Sequence, residues 1–156
     1  MLRGARVNDM YYEDFHVGQR FTSRSQVMTR EAIVAFAAEF DPQPQHTSEE
    51  AAATSNFGEL IASGWHTAAV TMRLQYEAAF CRIVNGGMGA QIDKLTWVRP
   101  VRPGDAVQAV VEVVQMRLSK SRPDYGVMSM LTTTVNQDGQ TVQTMTGTLL
   151  IPRRPA

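Results

Sequence analysis

The second half of the sequence contains four strand-like segments joined by short turns, and this pattern constrains the fold most strongly. The segments are rich in Val, Thr and Gln and span about residues 91–100, 106–118, 126–136 and 140–151. Turns rich in Pro, Gly, Asn and Asp separate them, at residues 103–105, 120–124 and 136–139. Long consecutive strands joined by tight turns predict an antiparallel sheet.

The first half is rich in Ala, Met and Phe and favours helices. A short strand over about residues 20–28 precedes Thr29, a plausible N-cap for a helix that Asp41-Pro42 ends. Four apolar residues of that helix share one predicted face: Ile33, Phe36, Ala37 and Phe40. Further along, Thr47 and Glu50 form a predicted capping box for a short helix through Ala53.

The longest helical pattern runs from about Gly64 to Phe80. Its predicted apolar stripe consists of Ala69, Met72, Tyr76 and Ala79 or Phe80, and additional apolar residues predict burial on most of its circumference. An apolar helix placed before an antiparallel sheet can lie across one face of that sheet. We therefore predict an α+β fold in which the sheet wraps around a central helix.

Composition limits the class of protein. The chain has 156 residues, 15 basic and 15 acidic side chains, and one cysteine, Cys81. This size predicts one domain over residues 11–152 behind a loose leader at 1–10. Balanced charge argues against nucleic acid and anionic membranes as partners. A single cysteine cannot form an internal disulfide, so we expect a cytoplasmic protein. The sequence shows no membrane-length apolar run and no zinc-ligand pattern, so we expect no membrane span and no metal.

Asp41 and His46 are the strongest candidates for chemistry. They enclose Pro42-Gln43-Pro44-Gln45, and two prolines in four residues reduce the conformational freedom of the loop. The carboxylate and the imidazole can therefore be positioned with a smaller loss of entropy. The alternative is structural: Asp41 caps a turn and His46 binds nearby backbone.

A second candidate lies at the start of the long helix, where Ser63 precedes Gly64. The unpaired N–H groups of a helix N-terminus can stabilise a developing oxyanion, and glycine allows a ligand close approach. Alternatively, Ser63 only caps the helix and Gly64 relieves crowding against the sheet. Trp65 and His66 are interpreted as packing or pocket-wall residues.

These segments resemble the MaoC-like dehydratases, the (R)-specific enoyl-CoA hydratase group of the hot-dog superfamily. The family pattern Asp-x-Asn-Pro-x-His is similar to residues 41–46, followed by an Ala-rich helix and a Gly-led central helix. The stretch Trp97-Val98-Arg99-Pro100-Val101-Arg102-Pro103-Gly104-Asp105 resembles a second family motif.

The resemblance implies a single hot-dog domain that pairs through its sheet as a homodimer or a larger homo-oligomer. It assigns Asp41 and His46 as catalytic residues and the Gly64 amide to the oxyanion hole, with an acyl-CoA thioester as substrate and no separate cofactor. Ser63 and Trp65 are then expected to bind substrate. Arg102 is expected to contact the CoA phosphates, although a solvated surface charge is the alternative.

Two departures from the family pattern bear on substrate choice, since Gln43 replaces the usual asparagine and Met72 replaces a serine that faces the active site in some members. The nearest competing function is a hot-dog thioesterase, and many such enzymes place the acid that activates water on the central helix or near its start. The first acid after Gly64 is Glu77, several turns along. A non-catalytic acyl-CoA-binding subunit is the other alternative, but Asp41 and His46 are both present.

Overall fold

A computed structural model describes residues 9–155. Most of the predicted leader, residues 1–8, lies outside these described residues. Met10 forms a parallel β-bridge with Ile83. The helices are α1 (Arg30–Phe40), α2 (Pro44–Thr47), α3 (Glu49–Ala53) and α4 (Gly64–Ala78), with single 3-10 turns at Tyr12–Asp14 and Phe80–Arg82. The strands are β1 (Arg20–Val27), β2 (Met88–Trp97), β3 (Ala106–Leu118), β4 (Tyr125–Val135) and β5 (Thr141–Pro152).

One antiparallel sheet contains all five strands in the order β1-β3-β4-β5-β2. In β3, buried residues alternate with more exposed ones over most of the strand, as expected when one face of a sheet covers the core. α4 lies on that face, with Leu74 fully buried among core residues that include Ile33 and Val107. The predicted α+β fold, a sheet around a central helix, is confirmed.

The buried face of α4 differs from the predicted apolar stripe. Thr67, Thr71, Leu74 and Gln75 are buried, whereas Ala69, Met72 and Tyr76 are exposed. The polar residues of α4 can face the sheet because they form hydrogen bonds with polar side chains of β4. The Thr71 and Thr134 hydroxyls are 2.9 Å apart, and the Gln75 amide donates to the Thr132 hydroxyl. The prediction that α4 is buried on most of its circumference is therefore wrong.

Two predictions about the shorter helices also need correction. α3 is capped by Ser48, whose Oγ accepts from the Ala51 N–H at 3.1 Å. Thr47 cannot serve as this cap because it ends α2, where its hydroxyl donates to the Pro44 carbonyl. The second correction concerns α1, because Phe40 on its predicted apolar face is 64% exposed. Phe40 packs on Phe36 with ring centroids 5.0 Å apart. Thr29 caps α1 as predicted.

His66 lies in the core near the start of α4. Its ring stacks on Phe36 with centroids 4.8 Å apart, and its Nδ1 has no hydrogen-bond partner among residues 9–155. Burial lowers the pKa of His66 below its usual value of 6.5, because the charged imidazolium loses its hydration. The folded chain therefore holds His66 neutral where the unfolded chain binds a proton.

We expect His66→Phe to reduce the loss of stability on mild acidification. The contribution of a neutral His66 is complete above about pH 6.5 and is lost as the pH falls, because protons bind the unfolded chain preferentially. Urea unfolding of both proteins between about pH 7 and about pH 5.5 measures this. Phenylalanine keeps the stacked ring but cannot titrate. Equal pH dependence in the two proteins would contradict a buried neutral His66.

Candidate active site

The loop after α1 brings Asp41 and His46 to one place. Asp41 is the C-cap of α1, Gln43 is the N-cap of α2, and Pro44 occupies the first turn of α2. Proline suits this position because its fixed backbone angle is that of a helix and its missing N–H is not needed. The one-turn helix then places His46 in a buried position.

The orientation of the His46 ring is fixed by the backbone. Its Nδ1 lies 2.8 Å from the carbonyl oxygen of Ile61, and because a carbonyl only accepts, Nδ1 carries the proton. In the neutral ring, Nε2 is then an acceptor, and it lies 3.6 Å from Asp41 Oδ2. The two nearest atoms of the pair are therefore both acceptors, so that a donor such as a water molecule could bridge them.

Two side chains donate to the Asp41 carboxylate. Ser63 Oγ donates to Oδ2 at 2.6 Å, and Gln43 Nε2 donates to Oδ1 at 2.8 Å. The Ser63 hydrogen bond, followed by that from Gln43, lowers the pKa of Asp41 below its usual value. Gln43, which replaces the asparagine of the family pattern, therefore contacts the catalytic candidate directly.

Ser63 and Gly64 begin α4 beside this carboxylate. Ser63 is the N-cap, and its Oγ also accepts from the Trp65 N–H at 3.2 Å. Gly64 is the first residue of the helix, where backbone N–H groups have no partner within the helix. A Cβ at Gly64 would lie less than 3.0 Å from the indole of Trp97. The crowding predicted as an alternative role for this glycine is therefore present, alongside its place in the site.

A pocket of about 410 Å³ joins these groups. Asp41, His46, Gly64 and Trp65 line it together with Trp97, a residue that sequence reasoning quoted only as part of a motif. Trp65 and Trp97 pack edge to face with ring centroids 5.2 Å apart, and both are largely exposed. The site thus combines an acid, an imidazole and a helix N-terminus in one pocket with an aromatic wall.

Other sequence candidates lie apart from this pocket. Arg102 does not line it and pairs with Glu59, with an Nη2–Oε1 distance of 2.6 Å, whereas Arg99 is part of the lining. Met72 lines a different, largely apolar cavity of about 920 Å³ between α4 and strands β2 and β5. The serine that contacts Asp41 is instead Ser63, which was expected to bind substrate but is almost fully buried and does not line the pocket. Within residues 9–155, no group of three or more possible metal ligands occurs.

Comparisons with known proteins identify the family and the fold. The family model described as "MaoC like domain" matches residues 14–136. The crystal structure of a MaoC-like dehydratase from Rhodospirillum rubrum superposes with a TM-score of 0.88 at 45% identity, covering 94% of this chain and 99% of that one. The chain therefore belongs to the MaoC-like family and has its hot-dog fold.

Two relatives have related sequences. A 3-hydroxybutyryl-CoA dehydratase from Methylorubrum extorquens is 30% identical over 116 residues, which are 74% of this chain and 70% of the relative. The uncharacterized protein YdeM from Bacillus subtilis is 34% identical over 130 residues, 82% of this chain and 89% of the relative. Because the second relative is uncharacterized, its similarity supports no particular activity.

We expect Ser63→Ala to raise the pKa of Asp41 toward its usual value of 3.8, because the strongest hydrogen bond to the carboxylate is removed. Carbon NMR of the Asp41 carboxyl group through a pH titration measures this pKa directly. Ser48→Ala is the matched control, since Ser48 caps α3 in the same way that Ser63 caps α4. An unchanged Asp41 pKa in Ser63→Ala would contradict the assigned hydrogen bond.

Proposed function

We propose that this protein is an (R)-specific enoyl-CoA hydratase and 3-hydroxyacyl-CoA dehydratase that acts through Asp41 and His46. The observation that carries the proposal is the 3.6 Å separation of Asp41 Oδ2 from His46 Nε2, two acceptors beside the start of α4. The dehydratase among the relatives supports the reaction class. The (R) stereochemistry is the one that the resemblance to the hydratase group implies.

Hydration of a trans-2-enoyl thioester requires an activated water molecule. A water between Asp41 and His46 can donate one O–H to each acceptor, leaving an oxygen lone pair free to attack C3. As the C3–O bond forms, one O–H bond breaks and the pair takes the proton. The pair then returns a proton to C2, so that water is added without any other reactant. The carboxylate of Asp41 is ionised in neutral solution, and its lowered pKa extends this to a lower pH.

Charge develops on the thioester oxygen during this reaction, because attack at C3 produces an enolate. The Gly64 N–H at the start of α4 is the proposed donor to this oxygen, aided by the partial positive charge of the helix N-terminus. Trp65 lines the same pocket and is proposed to contact the substrate. CoA enters as part of the substrate, and the reaction needs no separate cofactor.

Thioester hydrolysis is the competing reaction in the same pocket. Glu77, the first acid after Gly64, is bound by Arg24 and Arg73 and does not line the pocket. It is therefore not in place to activate water at the thioester carbonyl. This favours hydration, in which Asp41 and His46 supply both proton transfers.

We expect purified protein to consume the enoyl absorbance of crotonyl-CoA without releasing free thiol. Asp41→Asn and His46→Gln should each lower kcat by about 10²-fold or more, the usual contribution of a positioned acid or base. A dehydrogenase specific for (R)-3-hydroxyacyl-CoA identifies the product. Thiol release that depends on the same two residues would instead establish a thioesterase. Binding of crotonyl-CoA without either reaction would indicate a non-catalytic acyl-CoA-binding protein.

The proposal includes a homodimer, formed by antiparallel pairing of β2 with the same strand of a second copy. β2 is an edge strand of ten residues, and its first seven residues are all exposed. An edge of this length offers unpaired backbone groups to another strand. The exposed apolar residues Met72, Tyr76 and Ile92 line the cavity beside it.

We expect light scattering after size-exclusion chromatography to give the mass of a dimer or a larger homo-oligomer. Ile92→Asp should shift the protein toward monomer, because it places a charge in the proposed interface. Val17→Asp is the control, since Val17 is a similarly exposed apolar residue outside β2. A monomeric wild-type protein would contradict the assembly.

The cellular location remains part of the proposal. Cys81 is exposed and unpaired, which suits a reducing compartment such as the cytoplasm. Within the described chain, no helix is long and apolar enough to cross a membrane.

A further inference from the structure

Gln143 on β5 presents an energetic problem that packing does not explain. Its side chain is fully buried, at 0% exposure, and its Nε2 has no hydrogen-bond partner among residues 9–155. A buried amide with an unused donor destabilises a fold compared with an apolar side chain of similar size. The presence of this buried glutamine is therefore explained only if Gln143 contributes something other than stability to the protein.

Among the described residues, the amide oxygen of Gln143 has the indole of Trp97 as its hydrogen-bond partner. Trp97 Nε1 donates to Gln143 Oε1 at 3.1 Å. This hydrogen bond fixes the rotation of an indole that is otherwise 45% exposed. A phenylalanine at this position would have no donor for such a bond.

The fixed indole lies against Gly64. The three ring atoms nearest to the position of a Gly64 Cβ are Cε2, Cδ2 and Nε1 of Trp97, all in the five-membered ring. The start of α4 is thus held at two points. Ser63 is bound to Asp41, and Gly64 is packed against Trp97, whose orientation depends on Gln143.

We infer that Trp97, oriented by Gln143, is a positioning residue that holds the Gly64 N–H in place for the substrate oxygen. This inference rests on the proposed function, since it concerns the oxyanion donor of that reaction. A donor stabilises the enolate only if its distance and direction are set before the reaction. The burial of Gln143 then has a purpose: it provides a rigid acceptor that solvent cannot replace.

The test compares Gln143→Leu and Trp97→Phe with the control Thr134→Val. Leucine removes the acceptor without an unpaired polar group in its place, so this variant should fold even if Trp97→Phe does not. Thr134 is the β-ladder partner of Gln143 and is equally buried, and its hydroxyl lies 2.9 Å from that of Thr71 on α4. The control therefore loses a helix–sheet contact without affecting Trp97.

Two measurements separate positioning from general loosening of the fold. Steady-state hydration of crotonyl-CoA gives kcat and KM, and the ultraviolet absorbance of bound acetoacetyl-CoA reports how much of it is the enolate. We expect Gln143→Leu to lower kcat by between about 10-fold and about 100-fold with KM changed by less than about threefold, as for a displaced catalytic group. The bound enolate fraction should fall in parallel, while Thr134→Val retains both values.

The outcomes distinguish this inference from the proposed function. If wild-type protein hydrates crotonyl-CoA and Gln143→Leu matches Thr134→Val in kcat and enolate fraction, the positioning role is wrong and the hydratase stands. If crotonyl-CoA is not hydrated but Gln143→Leu alone loses the enolate signal, the positioning role stands and the hydratase is wrong. Absence of both activity and enolate signal in wild-type protein would overturn both.

Discussion

The hydrogen bond from Ser63 Oγ to Asp41 Oδ2 joins the two segments on which the site depends. It connects the end of α1 to the start of α4 over 22 residues of chain at a distance of 2.6 Å, and Ser63 is almost fully buried. A hydrogen bond to a carboxylate is stronger than one between neutral groups, and here it also lowers the pKa of the carboxyl group. One contact therefore fixes the position of Asp41 and favours its ionised form.

The sheet holds α4 through polar as well as apolar contacts. Thr71 and Gln75 on the helix meet Thr134 and Thr132 on β4, while Leu74 packs into the core between them. Paired polar groups fix the rotation of a helix about its axis more specifically than apolar packing does. This leaves Met72 and Tyr76 on the outer face, beside the exposed edge strand β2. With this rotation, the outer face of α4 borders the proposed interface.

Much of the fold could be predicted from local sequence. The strand segments and turns were found because period-two patterns and Pro/Gly turns are local signals, and Thr29 and the Asp41-Pro42 stop set the bounds of α1 for the same reason. The rotation of α4 could not be predicted, since an apolar stripe does not say whether it faces its own sheet or a second chain. The predicted N-cap of α3 was wrong because Thr47 and Ser48 are adjacent and either hydroxyl could cap the helix. Thr47 instead donates to the Pro44 carbonyl in the preceding turn, and Ser48 is the cap.

Asp41 and His46 could be predicted as a pair because they are close in sequence, whereas the family resemblance placed Gly64 with them. All three residues line one pocket, although their roles remain proposals. Contacts between distant residues carry no local signal: Arg102 with Glu59, 43 residues away, and Trp97 with Gln143, 46 residues away, emerged only from the structure. The measurement that tests the central claim most directly is mass spectrometry of the product formed from crotonyl-CoA in ¹⁸O-labelled water. The account predicts one label in the 3-hydroxyl group of an intact thioester, formed far more slowly by Asp41→Asn. A label in a free carboxylate, or no label at all, would contradict it.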